Sequence, residues 1–270
     1  MRFRLHIVLL ILVLLSSCGE YEKLLKSTDY DLKKNKAKEY YDKGEYVKTT
    51  ELLTQILPRY RATEEAEELN WINCLSYYGM KDYFMAGSYF KSFIDQFPFG
   101  KHAEEAHYMS ALCDYNISPR PELDQDNTKN AIEGFHLFLN KYPNSSRADS
   151  CRTMINDLQD KLVEKSYLSA KLYYDMNQYK AAVVALNNSL KEFATTKYRE
   201  KMMYLKLNSL FQYAELSLAN KQKERYQATL DDYYSFMEEF PKSTYARDVS
   251  NIFQKTNKFL KAGIPDSGVK

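Results

Sequence analysis

Between residues 46 and 240 one apolar pattern returns five times. A small residue is followed by apolar side chains four and seven or eight places on, and by an aromatic at eleven. The clearest copies are Ala86, Phe90, Phe93 and Phe97; Ala131, Phe135, Phe138 and Tyr142; and Thr229, Tyr233, Phe236 and Phe240. Thr49, Leu53, Ile56 and Tyr60 make another, and Ala182, Leu186, Leu190 and Phe193 the last, with Ser189 at the seventh place. Offsets of four, seven and eleven fall on one face of a helix. Pro98, Pro143 and Pro241 follow three of the aromatics and stop those helices. Tyr46, Tyr83, Thr128, Tyr179 and Tyr226 stand three before the small residue, at the helix start.

A second helix precedes each of these. Twelve residues before the small position stand Ala37, Cys74 and Ala170, followed three later by Tyr40, Tyr77 and Tyr173. In the third and fifth units Leu112–Tyr115 and Leu210–Tyr213 match only if seven residues are inserted. The first insertion, Asn116–Thr128, holds two prolines and reads as a loop; the second, near Ser217–Gln227, is loop or helix extension. Neither helix of a pair buries its face alone, so the pairs must stack. Five in-register copies argue against a generic bundle of amphipathic helices.

These pairs resemble the tetratricopeptide repeat, with small residues at positions 8 and 20 and aromatics at 11, 17 and 24. The fold expected is all-α, a tetratricopeptide-repeat superhelix of about five helix pairs over 29–262. The spacings between small positions, 37, 45, 51 and 47, predict an irregular array with long helices after the second unit.

The first seventeen residues are of another kind. Arg2 and Arg4 precede an apolar run from Leu5 to Leu15, too short to span a bilayer, and then Ser16, Ser17 and Cys18. Leu15-Ser16-Ser17-Cys18 is similar to a bacterial lipobox. The resemblance implies a signal peptide over 1–17, cleavage before Cys18, and lipid on Cys18 with 18–28 as a lipidated linker; 263–270 is a tail. Two or more acyl chains anchor a protein stably where one does not. The resemblance also implies attachment to the outer membrane, with the periplasmic face expected.

Formal charge is +2, and loss of Arg2 and Arg4 brings it near zero, which argues against nucleic acid as a partner. Tyrosine stands out: 24 Tyr against 14 Phe and one Trp, which suits packed repeats and peptide grooves. Cys74, Cys113 and Cys151 show no CxxC spacing and read as buried core residues rather than a disulfide or zinc set. No His-Glu-x-x-His, Gly-rich phosphate loop or Gly-x-Ser-x-Gly occurs, and glycine numbers only eight, so no enzyme, metal or cofactor is expected. His102 and His107, beside Glu104 and Glu105, read as a solvated helix start. Glu64-Glu65 and Glu67-Glu68 read as an acidic first turn.

A lipobox, a short linker and five such repeats resemble the BamD family of outer-membrane assembly lipoproteins. The resemblance covers about residues 18–260 and rests also on Gly44-Glu45-Tyr46, on Phe97-Pro98 with Ala103 and Ala106, and on Tyr142-Pro143-Asn144-Ser145. In Tyr-Pro-Asn-Ser and in Phe-Pro-Lys-Ser (240–243) the serine is placed to cap the next helix, with Ala148 or Ala246 on its packed face. Arg61 and Ala194 replace the terminal proline in units one and four.

The repeat frame puts positions 5, 9 and 12 of each first helix on the concave side. These are Lys34, Lys38 and Tyr41; Trp71, Leu75 and Tyr78; and Met109, Cys113 and Asn116. The expectation is a peptide groove in which a carboxylate meets Lys34 or Lys38 and an aromatic stacks near Trp71. The resemblance implies that this N-terminal half receives the C-terminal signal of unfolded outer-membrane β-barrel proteins. It further implies that the C-terminal half holds a BamA-like barrel insertase. Candidate docking residues are Arg120, Glu122, Asp124 and Asp126, with the charged stretch Lys221–Arg225. The alternative function is a repeat lipoprotein scaffold in cell-wall or division control or in polysaccharide export.

Overall fold

A computed structural model describes residues 19–262; the leader, Cys18 and the tail 263–270 lie outside the described residues. Helices account for nearly all of it, and no strand occurs among the described residues. In chain order they are α1 (residues 19–26), α2 (Tyr30–Asp42), α3 (Tyr46–Tyr60), α4 (Ala66–Gly79), α5 (Tyr83–Gln96) and α6 (Ala103–Ile117). Then come α7 (Asp126–Lys141), α8 (Ala148–Asp175), α9 (Tyr179–Glu192), α10 (Arg199–Glu215), α11 (Ala219–Glu239) and α12 (Ala246–Ala262). They form the five expected pairs, α2/α3 to α10/α11, closed by α12.

The second-helix frame is borne out at its strictest point. Thr49, Ala86, Ala131, Ala182 and Thr229 are all fully buried. Leu53, Ile56, Phe90, Phe93, Phe135, Phe138, Leu186 and Phe236 are buried one and two turns on. The tight turns share a device too. Gly44, Lys81 and Asn177 take a left-handed φ of +74°, +61° and +58° just before Tyr46, Tyr83 and Tyr179. Glycine takes that conformation without strain and asparagine with little, whereas lysine is strained there.

The chain divides into two compact units. Among the described residues, the first comprises 19–118 together with Asp126–Ile155, and the second comprises Pro119–Gln125 and 156–262. In the first, Leu24 of α1 packs with Ala37, Leu52, Leu53, Ile56 and Leu69. Lys33, 4% exposed, donates to the carbonyl of Leu25 (3.0 Å) and to Gln55 Oε1 (2.6 Å). So residues 19–26 of the expected linker form a helix docked on the first unit. In the second unit, Val163, Tyr167, Ala170, Leu186, Met202 and Leu205 form one cluster. Met203, Leu207, Phe211, Tyr226, Phe236 and Val249 form the next.

Three local readings change. In the third unit it is Ala111, not Leu112, that meets the second helix: a Cβ on Gly134 would lie 2.9 Å from that of Ala111. In the fifth, Leu207 is fully buried and Leu210 only partly, so that frame also slips. The insertions had hidden the register. Of the insertions themselves, 118–125 is a loop and 219–227 is helix, since α11 begins at Ala219. Ser145 and Ser243 accept from the backbone of Arg147 (3.2 Å) and Tyr245 (2.9 Å); Ala148 is buried, but Ala246 is exposed.

Candidate functional site

α2 and α4 are neighbours, as the groove requires. Asp29 caps α2 by accepting from the Leu32 amide (2.9 Å), and Lys34, Lys38 and Tyr41 follow at helical spacing. Lys34, its side chain 14% exposed, lies 2.8 Å from Glu65 and 3.2 Å from Asp31, and 5.0 Å over the Tyr60 ring. The hydrogen bond to Glu65 holds its ammonium above the ordinary lysine range. Tyr60 donates to Asp31 (2.7 Å), and this bond, with Lys34, holds Asp31 below the usual carboxylate range. Lys38 is partly buried and makes no ion pair among the described residues. Tyr41 packs 5.9 Å from Tyr46, and burial raises its phenol.

Trp71 is not an open aromatic floor. It is 8% exposed, wedged against Phe90 (5.6 Å) and Phe93 (5.4 Å), with His102 stacked on it at 4.6 Å and 6°. Two aromatic neighbours and one imidazole leave it no open face. Leu75 and Tyr78 remain partly exposed; the Tyr78 ring is 5.2 Å from Tyr83 and its phenol is raised by burial. Of the third-unit groove positions, Met109 and Cys113 are buried, and burial pushes the Cys113 thiol up to about 12. Cys74 shifts the same way, and Cys74, Cys113 and Cys151 are buried free thiols.

Position 5 turns out to be a joint. The residue just before each new first helix reaches back to it. Glu65 meets Lys34, and His102 meets Trp71. Arg147 sits 4.3 Å over Tyr108; Tyr198 stacks on Tyr167 (5.9 Å) and Tyr245 on Tyr204 (4.1 Å, 6°). Lys34, Trp71 and Tyr108 are 37 residues apart, and so are Tyr167 and Tyr204. That spacing was the available signal; reading position 5 as groove obscured it. The acidic first turn of α4 serves the same joint. Glu67 accepts from the His102 backbone (3.1 Å), while Glu68 lies 2.9 Å from Lys101 and 3.4 Å from His102. The bond to Lys101 holds Glu68 below the usual range. His102 is therefore engaged rather than solvated.

In the loop, buried Gln125 donates to the carbonyls of Arg120 (2.9 Å) and Leu123 (3.0 Å), and Lys165 donates to Leu123 (2.7 Å). Arg120 and Glu122 are exposed, 3.8 Å apart. Asp124 is exposed, and Asp126 opens α7, 3.9 Å from Lys129. In α11, Lys221 pairs with Glu224 (3.3 Å), and Arg225 lies 3.9 Å over Tyr213.

No group of three or more His, Cys, Asp or Glu among the described residues is arranged to hold a metal, and no described helix is long and apolar enough to cross a membrane. Paired helices, buried small positions and repeated joints define the class: an all-α helical-repeat protein of tetratricopeptide type. The chain belongs to the YfiO family of outer membrane lipoproteins, which matches residues 32–225. Its relatives include outer membrane protein assembly factor BamD of Rickettsia prowazekii (strain Madrid E), 23% identical over 68% of this chain and 72% of that protein. A protein of Aquifex aeolicus (strain VF5), provisionally named as the same factor, is 24% identical over 97% of this chain and 85% of its own length. BamD of Caulobacter vibrioides is 24% identical over 42% of this chain and 37% of its own. The yeast Sti1 TPR2AB domain, from a structure of its complex with an Hsp90 peptide, has a TM-score of 0.37 at 11% identity. The likeness covers 84% of this chain and 98% of that one and is too weak to carry an argument.

Proposed function

We propose that this protein is a lipid-anchored, non-catalytic scaffold of outer-membrane protein assembly, holding unfolded β-barrel clients and a BamA-like barrel insertase. The observation that carries this reading is the family match across 32–225, which takes in all five helix pairs as far as Arg225. Relatives named as assembly factors support it. Lipid on Cys18 anchors the chain one residue before α1, so the docked Leu24 keeps the first unit close to the bilayer. The domain then works on the periplasmic face of the outer membrane.

The client's C-terminal segment lies on the α2–α4 face, on Lys38, Tyr41, Leu75 and Tyr78. Lys38 is the better carboxylate receptor, because Lys34 already holds Glu65 and Asp31. Trp71 acts from beneath by fixing α4. Arg120, Glu122, Asp124 and Asp126 serve the insertase. Charged hydrogen bonds contribute roughly 1.5–3 kcal/mol, so Lys38→Ala weakens a barrel C-terminal peptide about tenfold or more and Lys34→Ala less. Amidating the peptide's carboxylate mimics Lys38→Ala and adds nothing to it. Unchanged affinity in all three cases removes the groove. Recovery of wall enzymes instead of a barrel insertase, on pull-down from detergent-solubilised membranes, removes the assembly role.

A further inference from the structure

A cleft of about 570 Å³ opens in the first unit, walled by α5 and α7 and floored by α6. It lies outside every residue assigned above to clients or insertase. Ala111 forms its floor, and Gly134 keeps α7 low against it, since any Cβ there would meet Ala111 at 2.9 Å. Ile94 and Leu137 give apolar walls, Leu137 being 55% exposed.

The polar lining is unbalanced. Ser110 is only 7% exposed, yet its hydroxyl makes no hydrogen bond among the described residues. Ser76 and Ser209, buried on α4 and α10, instead donate to the carbonyls four residues back, each at 2.7 Å. Asp114, 8% exposed, has one cation, Lys91, at 3.2 Å. Asp95 and Glu133 line the same cleft and form no ion pair among the described residues. Within the lining, three carboxylates thus face one lysine, with the Lys141 ammonium held at His107. His107 adds no positive charge: its Nε2 lies 3.0 Å from the Lys141 ammonium and accepts from it. Asn130 and Asn140 flank the cleft ten residues apart on α7, about 15 Å at helical rise. Four or five extended residues cover that length.

We propose that this cleft takes a basic side chain, arginine in preference to lysine, carried on an extended segment of a partner polypeptide. The guanidinium meets Asp114, Glu133 and the Ser110 hydroxyl; its planar fork offers five donors to acceptors on more than one side. The alkyl stem covers Ile94, Ala111 and Leu137, and the Asn130 and Asn140 amides hold the flanking backbone. An apolar anchor would leave Ser110 unpaired, and an anion would face the surplus carboxylates.

The test uses the full chain, purified in mild detergent, and three probes. One is a blocked pentapeptide, Leu-Ala-Arg-Ala-Leu; the second carries neutral citrulline in place of arginine; the third is acetyl-arginine amide alone. The arginine peptide is expected to bind about tenfold or more tightly than the citrulline peptide, the scale of one lost charged contact, and several-fold more tightly than acetyl-arginine amide, which lacks the flanking backbone. Asp95→Asn with Glu133→Gln, both exposed, weakens the arginine peptide by about the same factor at low salt and leaves the citrulline peptide unmoved. Ser110→Ala weakens it a few-fold, and Lys91→Met, which releases Asp114, strengthens it. Equal binding of the citrulline peptide overturns the cation site. Equal binding of acetyl-arginine amide overturns the polypeptide partner. Unchanged affinity in the double variant and in Ser110→Ala, with helicity intact, overturns the placement in this cleft.

Discussion

In the first unit the residue that opens each new helix pair reaches back with a charged or titratable group: Glu65 to Lys34, His102 to Trp71, Arg147 to Tyr108. In the second unit the same places hold tyrosine on tyrosine, Tyr198 on Tyr167 and Tyr245 on Tyr204. Glycine follows the same divide. All six glycines of the described residues lie in the first unit, where Gly79 and Gly134 approach Tyr46 and Ala111 too closely for a Cβ. The second unit spaces its helices with Tyr, Met and Leu. Repeat geometry therefore fixes where a joint must be and leaves its chemistry open. Ionic joints respond to salt and pH, whereas stacked rings respond mainly to shape.

The difference can be broken most sharply at its central ring. Trp71→Ala removes the partner of Phe90, Phe93 and His102 together and is expected to cost about 3–5 kcal/mol. Tyr245→Leu, losing one stack, costs about 0.5–1.5 kcal/mol. Chemical denaturation that ranks them the other way would refute the joint's hierarchy. Next comes close approach. Gly134→Ala overpacks against Ala111, but alanine favours the helix, leaving a net loss of about 1–2 kcal/mol. Gly87→Ala, 3.3 Å from the Cys113 Cβ, serves as the lenient control, expected to be near neutral.

Salt sharpens the contrast at smaller scale. Arg147 donates to both oxygens of Glu105, at 2.8 and 2.6 Å, on partly exposed ground. Glu105→Gln is expected to cost under about 1 kcal/mol at low salt and almost nothing at 1 M. The Tyr245→Leu deficit should be the same in both buffers. A salt-independent Glu105→Gln effect would make that pair a packing contact.

Acid separates the units by sign. Burial, with Lys141 nearby, lowers the His107 pKa. Its contribution is whole above the unfolded value, about 6.5, and is lost as pH falls from there through the lower folded value, because the unfolded chain protonates first. Asp232, 2.5 Å from Lys206, is raised by burial against that lysine's pull. Its native form protonates first, so the second unit gains stability as pH falls toward the unfolded value, about 3.9. Hydrogen exchange at pH 7.5 and 5 is expected to loosen α6 and not α11; equal loosening would count against it. The smallest effect lies in the turns. Lys81→Gly relieves a left-handed lysine and stabilises by about 0.5–1 kcal/mol. Asn177→Gly in the second unit gains less, since Asn tolerates that region. Melting curves decide between them.

The sequence by itself determined the all-α class, the five pairs and the second-helix frame. Those rest on local periodicity: a small residue and aromatics at helical offsets need only one helix to be recognised, as at Thr49, Ala86, Ala131, Ala182 and Thr229. The buried cysteines and the acidic first turn of α4 were legible for the same reason. The tertiary structure decided what depends on which helix lies beside which. It moved the third and fifth first-helix frames to Ala111 and Leu207, because inserted residues break the count while packing does not. It turned Trp71 and His102 from groove and solvent into one stacked joint, and engaged Lys34 with Glu65, because contacts across 31 residues leave no mark on a helical period. The Ser110 cleft is of the same kind: three successive helices must pack together before an unused hydroxyl and surplus carboxylates share a space.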